Sequence, residues 1–128
     1  MRFLLDTHLL LWAAGDLPQL PTAMRDLLAK PEHDFMFSAA SIWEVVIKRG
    51  LGRDDFQIDP NRFRRGLLGN GYEELPISSE HTLAVAVLPP VHRDPFDRIL
   101  IAQASVEGIT LLTSDTTLAS YGAPVKLI

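Results

Sequence analysis

The chain has 128 residues, no cysteine, and 12 Lys plus Arg against 16 Asp plus Glu, a formal net charge of −4. One domain is expected, and folding a chain of this size buries roughly two-thirds of the surface exposed when unfolded, enough for a core without disulfides or structural metal. The absence of cysteine excludes thiolate zinc sites, thiol nucleophiles and redox switches and fits a reducing, cytoplasmic compartment, and the acidic balance taken alone argues against a general nucleic-acid binder. Asp6 interrupts the first apolar run before it could become a signal-peptide core. The longest apolar stretches, Leu9 to Ala14 and Ile99 to Ala104, fall far short of the ~20 residues of a membrane span.

Phe3 to Leu5 read as a buried strand that delivers Asp6 at its C-terminal end. A helix follows through Leu9 to Ala14, broken by Gly15 and Pro18. Thr22 is the expected N-cap of a second helix carrying Ala23, Leu27 and Leu28 and closed by Pro31. Phe35 to Phe37 give the next strand. Ser38 and Ser41 are candidate caps for a helix through Glu44 and Val45 to Lys48, which Gly50 stops with Lys48 and Arg49 in its last turn. Asp59-Pro60 pairs a cap with a proline at the first helical position and starts a basic helix through Phe63 and Leu67, ended by Gly69 to Gly71. Tyr72 to Leu75 is a weak strand. Ser78, Ser79 and Glu80 open a helix carrying His81, Leu83 and Val87, which Pro89-Pro90 stops.

Asp94-Pro95 repeats the cap pattern before Phe96, Ile99, Leu100 and Ala104. Gly108 ends that helix, Thr110 to Thr113 form a strand ending near Asp115, a helix over Thr116 to Tyr121 follows, and Val125 to Ile128 form a last edge strand. Short apolar strands alternating with helices predict an α/β fold, a three-layer α/β/α sandwich around a mostly parallel sheet.

In such sheets ligands bind beyond the carboxyl ends of the strands. Asp6 and Asp115 close strands there, and Glu44 and Asp97 sit early on helices that begin on the same rim. Each also has an ordinary reading: Asp6 and Asp115 as caps, Glu44 as an i,i+4 partner of Lys48, Asp97 as an acid favoured in a first helical turn. Together, four converging carboxylates would repel one another, which raised pKa values or bound cations must offset. An all-oxygen set selects hard cations, Mg²⁺ or Mn²⁺, over zinc, and the chemistry such a site supports is phosphodiester hydrolysis.

Four segments then carry a resemblance: Leu4-Leu5-Asp6-Thr7-His8, Ser38 to Glu44, His92 to Ala104 with Asp97 inside it, and Leu112-Thr113-Ser114-Asp115. In this order and over nearly the whole chain, they resemble the PIN-domain ribonucleases, specifically the toxins of virulence-associated (VapBC) toxin–antitoxin pairs. The resemblance implies a metal-dependent endoribonuclease with an acidic quartet at Asp6, Glu44, Asp97 and Asp115 and Asp94 as a further acid beside it. Thr7 and Thr113 or Ser114 would orient carboxylates or waters. It also implies a VapB-like antitoxin as partner and a homodimer, with Trp12 and the helix containing Trp43 near any antitoxin groove. Two departures are visible: Leu118 stands where many relatives carry an aromatic, and Thr117 where some carry another acid, which weakens the case for a firmly held second metal.

Charge is unevenly spread. Residues 1–47 carry −3, residues 48–65 carry +3 and residues 66–128 carry −4. The basic island, with Lys48 and Arg49 at its start, is a candidate contact for the RNA backbone, although Asp54, Asp55 and Asp59 lie within it as internal partners. Arg93 and Arg98 flank the acids of the last long helix and are candidates to hold a phosphate, Arg98 alternatively fixing Asp97. Dehalogenase-like phosphatase and receiver readings fail for want of the second acids they need, and nucleotide-binding readings fail for want of a glycine-rich motif. A metal-independent ribonuclease using His8 and His92, and a protein-binding module with a weak site, remain the alternatives.

Overall fold

The structure, a computed structural model, describes residues 1–90 and 93–128, so His92 lies outside the described residues. The elements run β1 (Arg2–Leu5), α1 (Thr7–Ala14), α2 (Thr22–Leu28), β2 (Asp34–Ser38), α3 (Ala39–Gly50), α4 (Pro60–Gly69), β3 (Glu73–Leu75), α5 (Ser79–Val85), α6 (Pro95–Glu107), β4 (Thr110–Thr113), α7 (Thr116–Ala119) and β5 (Val125–Leu127). All strand pairings are parallel, in the order β3-β2-β1-β4-β5. The expected α/β/α sandwich is the observed architecture.

Strand alternation builds both outer layers. Phe3, Leu5, Phe37 and Leu112 point to one face and pack with Leu9, Leu10, Met24, Phe63 and Leu67 from α1, α2 and α4. Leu4, Met36 and Leu111 point to the other and pack with Leu100, Ile101 and Ala104 of α6 and Leu118 of α7. Successive strand residues serve opposite faces, so the near-continuous apolar runs of β1 and β4 mark a sheet covered on both sides. Leu4, Leu5, Leu111 and Leu112 are completely buried. Truncating any of them to Ala would cost about 2–5 kcal/mol.

Capping sets several helix starts. Asp59 accepts the Asn61 N–H with Pro60 opening α4, and Asp94 accepts the Phe96 N–H with Pro95 opening α6. Gly108 closes α6 in the left-handed region at φ 68°, a conformation that favours glycine. Some boundaries differ from expectation. Thr22 is the first residue of α2 and makes no cap, because Pro21 holds the N-cap position without a side-chain bond. Ser38 alone caps α3, whereas Ser41 lies inside it. Helix α5 ends at Val85, so Val87 lies in the turns that follow and is exposed, and α7 ends at Ala119 before Tyr121.

The chain runs from β1 outward through β2 to β3, then returns to the other side of β1 for β4 and β5. The topological switch therefore falls at the β1–β4 seam. Beyond the carboxyl ends of these two strands lies the crevice where open α/β sheets bind ligands.

Candidate functional site

Asp6 stands at that seam, 3% exposed, between β1 and the first turn of α1. Its Oδ1 accepts the Leu9 N–H at 2.9 Å, and its Oδ2 accepts the Thr113 hydroxyl at 2.5 Å. The same Thr113 oxygen accepts the Asp115 N–H at 3.0 Å. Asp115 in turn caps α7 through the Thr117 N–H at 2.8 Å. One buried hydroxyl thus ties the ends of β1 and β4 together and sets the backbone that presents the second acid. Ser114, half-buried, lies between the two residues of this turn.

Burial holds the Asp6 carboxyl above its ordinary range, and the nearby Asp115 charge adds to the rise; the Thr113 hydroxyl, the Leu9 amide and the His8 imidazole pull the other way. Both hydrogen-bond donors to Asp6 are neutral. The position is electrostatically uncomfortable: a desolvated carboxylate beside a like charge.

Thr7, buried at the start of α1, donates to the Ser41 hydroxyl on α3 at 2.9 Å rather than to a carboxylate. Ser41 was legible in the sequence only as a possible cap. Its bond instead draws the inner face of α3 toward the start of α1, and Glu44, one helical turn later and 8% exposed, lies on that buried face. Glu44 Oε2 is 2.9 Å from Lys48 Nζ, the i,i+4 pair. Lys48 also stands 6.0 Å over the Phe56 ring.

Asp94 is the exposed cap of α6, and Asp97 stands half-buried in its first turn. Arg98 is half-buried on α6. Its guanidinium donates to the Val85 carbonyl, the Pro89 carbonyl and the Tyr121 hydroxyl, each at 3.1 Å, stitching α6 to the end of α5 and to the turn after α7. Both carbonyls are shared, Val85 with the Leu88 N–H at 3.2 Å and Pro89 with the Tyr121 hydroxyl at 2.7 Å, and a carbonyl's two lone pairs leave room for the planar fork as well. Arg93 is exposed, as is Arg49, which lies 3.9 Å from Asp59. Within the basic island, Arg53 pairs with Asp55 at 2.8 Å and Arg64 with Glu74 at 2.7 Å.

Two of the aromatic residues lie as core residues do: Phe63 is buried, and Trp12 packs partly buried against the α1 face of the core. Trp43 differs. It is 60% exposed, meets Phe96 edge-on at 5.2 Å, and borders an apolar hollow of about 660 Å³ with Ile47, Val85 and Ile99.

The structure therefore brings together Asp6, Thr113 and Asp115 at the seam, and Thr7 with Ser41 beside them. Among the described residues, no three His, Cys, Asp or Glu side chains are gathered closely enough to hold one ion. The donor chemistry of the seam still fits a hard cation: the acids offer oxygen alone, and the buried Asp6 carboxylate meets neutral donors and a like charge. No helix among the described residues is long and apolar enough to cross a membrane.

Comparison with solved structures finds the same fold in toxin–antitoxin complexes. VapBC2 of Rickettsia felis, bound to a DNA fragment from its promoter, is similar with a TM-score of 0.70 and 17% identity, over 100% of this chain and 98% of that one. VapBC-1 of nontypeable Haemophilus influenzae gives 0.67 and 16%, over 100% and 97%. A toxin–antitoxin complex of Klebsiella pneumoniae gives 0.67 and 20%, over 96% and 94%. Comparison with curated protein sequences finds no match. The sequence itself matches the PIN domain over residues 3–124, and the chain belongs to the PIN-domain family.

Proposed function

We propose that this protein is a divalent-metal-dependent endoribonuclease, the toxin of a toxin–antitoxin pair. The observation that carries the reading is the buried Asp6 carboxylate at the β1–β4 seam, held by Thr113 beside the like charge of Asp115 and met only by neutral hydrogen-bond donors. Such a pair is a vacancy for positive charge. Asp6 and Asp115 would hold Mg²⁺ or Mn²⁺, with Glu44 and Asp97 completing the set once Glu44 leaves Lys48, and Asp94 at its edge. When bound, the cation supplies an activated water and balances charge on the phosphorus and the leaving oxygen.

The chain's own residues supply the rest. Thr113 keeps Asp6 oriented, Thr7 and Ser41 fix α1 against α3, and Arg93, Lys48 and Arg49 offer positive charge to the RNA backbone. Without the four proposed ligands the sequence has 12 basic and 12 acidic residues, so the net charge belongs to the site. RNA affinity should accordingly depend on the cation.

The antitoxin reading is supported by the family and by the complexes whose fold the chain shares. The exposed apolar side of α3, with Trp43, Val46 and Ile47 and with Leu51 just past its end, is suited to cover by another chain, either a VapB-like antitoxin or a second copy.

Purified protein should cleave RNA with Mg²⁺ or Mn²⁺ and leave a 5′-phosphate, and EDTA or Asp6→Asn should stop it. A cyclic phosphate product insensitive to EDTA would favour the imidazole mechanism instead. Full binding of a small antitoxin-like partner without any cleavage would favour the binding-module reading, for which the dispersed acids speak.

A further inference from the structure

We infer, building on the nuclease reading above, that Gln103 is a positioning residue whose buried carboxamide locks the helix presenting Glu44 against the helix presenting Asp97. Gln103 lies on α6, well inside the helix that Asp97 begins, and is fully buried. Its Oε1 accepts the Ser38 hydroxyl at 2.6 Å. The same Ser38 oxygen accepts the Ala40 N–H at 3.0 Å and so is the N-cap of α3. One contact therefore joins the end of β2, the start of α3 and the interior of α6.

The orientation of the carboxamide is itself fixed. Its Nε2 donates to the Pro76 carbonyl at 3.3 Å and lies 3.5 Å from His81 Nδ1. His81 Nδ1 already accepts the Ser78 N–H at 3.0 Å, which leaves the ring proton on Nε2, 2.8 Å from Glu107 Oε2. A flipped carboxamide would lose its bond to Pro76 and set its oxygen against that carbonyl oxygen, which cannot donate.

Packing alone does not require this arrangement. A buried polar group costs desolvation that a methionine of similar size avoids, and Leu100, Ile101 and Ala104 around it are already a close-packed apolar cluster. Directional bonds add what apolar contact lacks, a unique register between elements. Glu44 and Asp97 stand on the two elements so joined, and reactive groups are sensitive to displacement: about 1 Å of misplacement can cost about a hundredfold in rate.

The test exploits the absence of cysteine. Spin labels at Arg49→Cys on α3 and Ser105→Cys on α6, both exposed positions, report the distance between the helices, with labelled chains diluted in unlabelled ones. Gln103→Met should shift or broaden that distance distribution. In the unlabelled chain it should lower kcat at least about tenfold with KM little changed, and weaken Mn²⁺ binding. A purely structural glutamine would lower the melting temperature while leaving all three readouts unchanged well below the transition, and that result overturns the inference. If Gln103→Met does not fold, Ser38→Ala removes the same bond from the other side and carries the same expectations. Absence of cleavage by the unsubstituted protein would overturn the nuclease reading, and the interhelix distance would still decide the role of Gln103.

Discussion

The Thr113 hydroxyl bridges two acids: it donates to Asp6 Oδ2 at 2.5 Å and accepts the Asp115 N–H at 3.0 Å. Replacing it with Val keeps the shape and removes both bonds, leaving a buried carboxylate oxygen without its donor. Thr113→Val should cost about 1–3 kcal/mol of stability and weaken Mn²⁺ binding, whereas Thr113→Ser should retain most of both. Chemical denaturation and metal titration of the pair of variants check this; equal behaviour of Val and Ser would remove Thr113 from the site.

Asp6 gives a pH dependence with a defined sign. Its carboxyl is held above the ordinary aspartate range in the folded chain. The folded state therefore binds this proton more tightly than the unfolded state, and the resulting stabilisation is complete below the unfolded pKa and lost as pH rises through the raised folded value. Asp6→Asn has no such proton. In EDTA, the melting temperature of the parent minus that of Asp6→Asn should fall as pH rises from about 4 to about 8. A difference that stays flat, or grows, over this range would mean that Asp6 is not strained in the metal-free fold. Added Mn²⁺ should raise the melting temperature of the parent and leave that of Asp6→Asn nearly unmoved.

Lys48 competes for Glu44. Their contact is 2.9 Å, with the carboxylate largely buried and the ammonium about one-third exposed, 35%. Lys48→Met leaves a largely buried carboxylate without its partner and should cost about 1–3 kcal/mol in the metal-free chain. It should also free Glu44 and tighten Mn²⁺ binding severalfold in calorimetric titration. An affinity identical to that of the parent would indicate that Glu44 does not serve the metal.

Arg98 is predicted to matter for stability and not for RNA. Its bonds to the Val85 and Pro89 carbonyls and the Tyr121 hydroxyl need the planar fork that lysine lacks. Arg98→Lys should lower stability by about 1–3 kcal/mol. In the Asp6→Asn background, where cleavage is silenced, RNA affinity measured with Arg98→Lys should be unchanged. Loss of RNA binding there would restore Arg98 to the phosphate path.

Local chemistry explains which features the linear pattern exposes. Asp59-Pro60 and Asp94-Pro95 start helices because cap and fixed proline φ act within a few residues, and Gly108 ends one because its own φ of 68° suits glycine. Thr22 failed as a cap for an equally local reason: Pro21 already occupied that position. Ser41 carries only the misleading mark of a possible cap, and Gln103 carries none. Their partners, Thr7 and Ser38, are 34 and 65 residues away in sequence.

Sequence alone determined the class of the fold and the presence of acids at its rim. Apolar runs alternating with capped helices specify a sheet buried on both faces, and acids closing its strands put carboxylates at one end. Tertiary structure decided which acids are joined. It made Thr113 the bridge from Asp6, 107 residues away, to Asp115, drew Arg98 to the Val85 and Pro89 carbonyls and buried Gln103 against Ser38. The reason is physical: propensity and capping act over a few neighbouring residues, whereas a buried polar group takes whichever partner the packing of distant elements brings within bonding distance.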